Sequence, residues 1–151
     1  MIPELALWPA LAVAGLGAIF DARYRLLPNW LCVVLAIAAA GGLVLAGGEE
    51  AIPWALLHAS IALLVGMALF RFRIIGGGDA KFYAAAACGI PLSEALHFLG
   101  WTSAAGVVLL LAMVVGRRFL PSTRGTPILR GWEVPYGVAI FAGFALTLVV
   151  S

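Results

Sequence analysis

The sequence predicts an all-α integral membrane protein, a bundle of six transmembrane helices. Three observations predict it. Of 151 residues, 64% are hydrophobic and only 11% charged, with a mean hydropathy of +1.12; a soluble domain carries about 25% charged residues. Several apolar runs approach the roughly 20 residues that cross a bilayer. The bases are segregated along the chain in a way that only one arrangement of crossings explains.

The first run is Leu5–Phe20. Glu4 is the only early charge, so the basic n-region of a signal peptide is missing and the run reads as a retained helix. Trp30–Gly47, Ile52–Phe70, Ala95–Gly116 and Val134–Val150 are the other long runs. Phe82–Leu92 is too short alone and spans only if its helix starts within or just after Gly76-Gly77-Gly78. Gly116–Pro135, with Pro121, Gly125, Pro127 and Gly131, reads as the one long polar connection.

All nine Lys and Arg fall in three places: Arg23 and Arg25; Arg71, Arg73 and Lys81; and Arg117, Arg118, Arg124 and Arg130. The intervening connections hold Glu4, Glu49, Glu50 and Glu94 and no base. If Phe82–Leu92 crosses, every base lies on one side, and excess Lys and Arg mark the cytoplasmic side. Both termini are then non-cytoplasmic. The basic 117–130 stretch follows from topology, although anionic lipid or an acidic partner is a second reading. At this length the chain holds one small bundle and no sizeable extra-membrane domain.

Cys32 and Cys88 lie in apolar segments without CxxC spacing, so neither a metal site nor a disulfide framework is expected, and both read as core residues. His58 and His97 fall toward the outer half, away from the acids below. Neither cofactor nor nucleic-acid partner is expected. Membrane lipids are the surroundings, and a homo-oligomer is left open.

The two aspartates, Asp21 and Asp79, are the informative residues. A carboxylate at membrane depth costs roughly 2.5–3.5 kcal/mol on insertion scales, which makes function its default reading. Each has a structural alternative. Asp21 fits an ion-paired helix end beside Arg23 and Arg25, and Asp79 fits a helix N-cap. Charge segregation places both on the same face. Two carboxylates sharing a site do not both ionise cheaply, so one is base and the other acid, the arrangement of aspartic proteases. Three glycines before Asp79 remove the side chains beside it and let another backbone approach, an extended peptide among the candidates. After Asp21, Pro28 breaks the chain and Asn29 is placed to cap the next helix. Pro135-Tyr136-Gly137 reads as a helix start that permits close packing.

Taken together, Asp21-x-x-x-x-x-Leu27-Pro28-Asn29, Gly76-x-Gly78-Asp79-x-Lys81 and Pro135-Tyr136-Gly137-x-Ala139-Ile140 resemble the motifs of prepilin peptidases, most closely the short type serving tight-adherence (Flp) pili. They appear in the expected order across nearly the whole chain. Leu27 stands where the family more often has Ile. The resemblance implies a single membrane-embedded aspartic endopeptidase domain over 1–151, in the bacterial inner membrane with its active site toward the cytoplasm. It would cut the basic leader from prepilin or pseudopilin substrates, usually after a Gly. Asp21 and Asp79 would be the catalytic pair; Gly76, Gly78 and Lys81 would form the GxGD active-site loop. Pro28, Asn29, Pro135 and Gly137 would support it. Larger relatives carry a cysteine-paired cytoplasmic segment and also methylate the new N-terminus. Nothing here matches that segment, so no methyl transfer is expected.

Two other classes compete. A proton- or ion-carrying membrane subunit would more often show internal symmetry or an acid near mid-membrane. A presenilin-like intramembrane protease shares GxGD but has Pro-Ala-Leu late in the chain, where Pro135-Tyr136-Gly137 stands.

Overall fold

The computed structural model describes residues 4–46, 48–119 and 134–150. These residues contain six α-helices and no strand: α1 Glu4–Tyr24, α2 Asn29–Leu45, α3 Ile52–Arg71, α4 Gly77–Ala87, α5 Ala95–Phe119 and α6 Tyr136–Val150. Short 3₁₀ turns, Glu49–Ala51 and Leu92–Glu94, lead into α3 and α5. Three stretches, Ala6–Tyr24, Glu49–Arg71 and Leu92–Gly116, are long and apolar enough to cross a membrane, and α2 and α6 are shorter apolar helices.

The boundaries follow local chemistry. α1 and α3 each close on an arginine in the left-handed region, Arg25 at φ 56° and Arg73 at φ 61°. A β-carbon makes that conformation unfavourable, so glycine usually fills it. Pro28, extended at φ −63° and ψ 139°, is the N-cap of α2. A proline early in α3 sits where its missing N–H costs nothing. α4 begins within the glycine run, as its length requires, but ends at Ala87 rather than Leu92. Cys88, Gly89 and Ile90 donate their backbone N–H groups back to Ala85, Ala86 and Ala87, tightening the last turn ahead of Pro91. α5 runs on to Phe119, so Arg117 and Arg118 are helical rather than part of the polar connection. The remainder of that connection, with Arg124, Arg130 and Glu133, lies outside the described residues.

α4 is the centre of the bundle. It packs on α2, α3 and α6, while α1 joins α2 to α6 and α5 packs on α6. Its 11 residues measure about 16 Å, against about 30 Å of hydrocarbon. Its neighbours shield it: Ala84 to Ala87 are buried and Phe82 is wholly enclosed. Lipid supplies no hydrophobic force between helices, so association rests on close packing, which small residues allow. A β-carbon on Gly66 of α3 would lie 2.8 Å from the Ala80 side chain, a measure of how near α3 and α4 approach. Beyond α4, Tyr83 stacks on Phe98 of α5 at 4.3 Å between ring centroids, and Phe98 meets Phe144 of α6 edge-on at 6.2 Å.

Candidate functional site

Asp21 does not end α1. The helix continues through Tyr24, and the Arg25 N–H donates to the Asp21 carbonyl at 2.9 Å. Its side chain is buried, 7% exposed, where α1 crosses the start of α6. The first N–H groups of a helix lack partners within it. One of these, on Gly137, donates to Asp21 Oδ2 at 2.7 Å. The contact requires glycine, because a β-carbon there would lie 2.8 Å from Asp21 Cβ. Pro135, buried just ahead, sets the entry of the chain into α6. The helix-end reading of Asp21 is therefore replaced by a cross-helix anchor.

Asp79 is the third residue of α4, not its cap. The N-cap is Gly76, extended at φ −72° and ψ 142°, and no side chain caps the helix. Asp79 is half-buried. The glycines make room beside the Asp79 carboxylate and for the side chains packed against the start of α4. A β-carbon on Gly76 would come within 2.6 Å of Asp79 Oδ2. One on Gly77 would be 3.3 Å from the Phe70 ring, and one on Gly78 3.3 Å from Leu27 Cβ. Leu27 thus packs where Gly78 leaves space, which ties the loop after α1 to the start of α4.

Asn29 is the first helical residue of α2, and no side chain caps that helix. The capping expectation fails because Pro28 takes the cap position. Instead Asn29 Oδ1 accepts from Lys81 Nζ at 3.0 Å, on the exposed side of the bundle. That bond latches the N-terminal half of α4 to the first residue of α2.

Asp21 and Asp79 line one cavity of about 550 Å³ together with Arg25, Arg73, Gly76 and Tyr136. Sequence reading missed three of these. Arg25 and Arg73 were accounted for by topology, and nothing about them announced that both close their helices at the cavity wall. Tyr136 lay inside a noted motif but had no side-chain role. Non-glycine residues in the left-handed region concentrate at functional sites; here both occurrences among the described residues border the paired acids. The histidines are engaged elsewhere. His58 is buried and its Nδ1 donates to the Ile90 carbonyl at 3.0 Å, at the far end of α4, while His97 Nδ1 is 2.7 Å from Glu94. Cys32 and Cys88 are free thiols. Among the described residues no three His, Cys, Asp or Glu converge as metal ligands.

The arrangement brings two carboxylates, a backbone N–H and two guanidinium groups to one polar recess at the end of an apolar bundle. One acid is fixed by a helix terminus and the other stands at the start of a short central helix. Such a pair can activate water and return its proton.

Comparison with known proteins agrees with this chemistry. The model of the type IV leader peptidase family matches residues 8–111, which include both aspartates and the glycine run. Pro135-Tyr136-Gly137 falls beyond the match and joins the site through Gly137. No curated protein matches significantly, and no solved structure does. A match over more than half the chain, on an apolar all-helical bundle, makes this integral membrane protein a member of the type IV leader peptidase family.

Proposed function

We propose that the chain is a prepilin leader peptidase that hydrolyses the leader–mature peptide bond with Asp21 and Asp79, as an aspartic-type endopeptidase of the GxGD class. One observation carries the reading: two acids from different helices open on the same cavity. Asp21, whose Oδ2 accepts from the Gly137 N–H, takes the role of base and removes a proton from the attacking water. Asp79 starts protonated and gives its proton to the departing amine. The water oxygen bonds to the carbonyl carbon, the C–N bond breaks, and the products are a carboxylate and a new amino terminus. Asp21 is left holding one proton of the water, the other leaves with the products, and passage of the Asp21 proton to Asp79 restores the starting pair.

The protein then lies in the bacterial inner membrane with six crossings and the cavity toward the cytoplasm, as the segregation of bases supports. The substrate is a prepilin or pseudopilin of the tight-adherence type, and its new amino terminus stays unmethylated. α4 completes its crossing inside the bundle, where protein rather than lipid surrounds its short ends.

The test is leader cleavage in membranes. Asp→Asn is nearly isosteric and leaves packing intact, but it neither holds the charge nor exchanges the proton. Asp21→Asn and Asp79→Asn each abolish cleavage, and the double variant is no worse, because the pair acts as a unit. Activity against pH is bell-shaped, with limbs belonging to the pair rather than to either residue. A well-expressed Asp21→Asn protein that processes prepilin near the normal rate would falsify the dyad.

A further inference from the structure

We propose that the cleft between α3 and α5 is the binding site for an apolar transmembrane helix of the substrate, seated with one end at Asp79. The proposal rests on the peptidase reading above and adds where the uncut chain lies.

A second cavity, of about 390 Å³, runs along this cleft. Ile61, Ala62, Val65 and Leu69 of α3 form one wall, and Leu96 and Leu99 of α5 face them. α3 packs chiefly on α4, and α5 on α6, so the two walls hardly touch one another. Ala80 and Tyr83 of α4 are the floor. Both walls belong to stretches long and apolar enough to cross a membrane, and Val65, Leu96 and Leu99 are each more than half exposed, so the cleft is open along the flank of the bundle.

The occupant follows from chemistry and continuity. Among the described residues Asp79 is the one carboxylate lining the cleft and no Lys or Arg lines it, and Asp79 marks one end. Ile75, Asp79 and Tyr136 line this cleft and the cavity of the paired acids alike, so the two adjoin at these residues. An apolar segment in this cleft must satisfy its own backbone groups, since neither lipid nor the helical backbones of α3 and α5 can do so. It is therefore a helix. From His58 to Leu69 the α3 wall extends roughly 16 Å, about three turns of a docked helix. Where the cleft gives way to the polar cavity, carboxylates and arginines replace aliphatic side chains, and the occupant can leave helical form there and present a peptide bond. A second copy of this chain would match the apolar wall but has no reason to end at the acids.

Photocross-linking tests the site without requiring turnover. The full chain carries Asp79→Asn and p-benzoylphenylalanine at Val65, at Leu99, or at Leu64, which is 72% exposed and lines neither cavity. The probe is a single-span peptide in phospholipid vesicles. It has a short basic segment, a glycine and about 20 Leu and Ala residues. Adducts to the peptide are expected from positions 65 and 99 and not from 64. Peptide adducts as strong from 64 as from 65, adducts only between copies of the chain, or lipid adducts alone at 65 and 99 each overturn the proposal. A kinetic arm uses the chain with both aspartates intact. Val65→Trp raises KM on the order of tenfold with kcat little changed, because the lost contact is shared by ground and transition states. Leu64→Trp changes neither. An unaltered KM in a folded Val65→Trp protein removes the cleft but leaves the peptidase reading standing. Cleavage that survives loss of either aspartate removes the dyad whatever the adducts show.

Discussion

Asp21 and Asp79 border the same cavity and are held there by opposite means. Asp21 is buried in a helix that continues beyond it, and its carboxylate is tied to the backbone of another helix through the Gly137 N–H. Asp79 is half-buried in the first turn of the shortest helix, with glycine on its approach and a lysine latch two residues on. The first acid is over-determined: moving it means shifting α1 against α6. The second is placed by the start of α4, whose register depends on three glycines and one exposed polar bond. A peptidase that takes water and a chain into one recess profits from this difference. In the proposed mechanism a fixed base keeps the water geometry, and a less confined acid follows the leaving amine.

Substitutions at the glycines can break this comparison. The largest effect is expected for Gly137→Ala. Its β-carbon would meet Asp21 Cβ at 2.8 Å, and neither atom is the end of a flexible chain. α1 and α6 must part, and a displacement near 1 Å costs on the order of 10²-fold in rate. Leader cleavage measured at matched expression checks this. A wild-type rate in Gly137→Ala would mean that Asp21 is not anchored as described.

Gly76→Ala ranks next. Its β-carbon would come within 2.6 Å of Asp79 Oδ2, which is the end of a rotatable side chain. Asp79 can swing aside without disturbing the bundle, so cleavage falls by about tenfold while thermal stability holds. Equal losses of stability in Gly76→Ala and Gly137→Ala would erase the distinction between a movable acid and a fixed one. Gly78→Ala meets Leu27 Cβ at 3.3 Å, a distance that a few tenths of an ångström relieve. Its loss of rate should be clearly smaller than that of Gly76→Ala.

The smallest effect is expected at the latch. Lys81→Met or Asn29→Ala removes one exposed hydrogen bond of 3.0 Å. Net contributions of such bonds are modest, so either change slows cleavage by no more than about threefold. The double variant should match the singles, because both remove the same bond. A much deeper loss in Lys81→Met alone would assign the ammonium a role at the reacting atoms.

Composition and charge determined the class of this molecule. A chain with so few charges cannot be solvated as a soluble domain, backbone groups in lipid must pair within helices or a closed barrel, and continuous apolar runs near the length of a spanning helix select the all-α bundle. The glycine run located the start of α4, because Phe82–Leu92 was too short by itself. The ordered motifs singled out Asp21, Asp79 and Gly137 as members of one site. The caps were not legible. Pro28 and Asn29 both suit a helix start, and only the extended conformation of Pro28 freed Asn29 to meet Lys81. Local propensity ranks residues at a boundary but does not choose among neighbours that all fit. The tertiary structure alone decided that α4 lies at the centre, that Gly137 reaches Asp21 across 116 positions of sequence, and that α3 and α5 stand apart. Those facts depend on which helix faces meet. In a bundle whose helices are apolar on every side, periodicity carries no record of facing, and small residues select partners only once the neighbours are present.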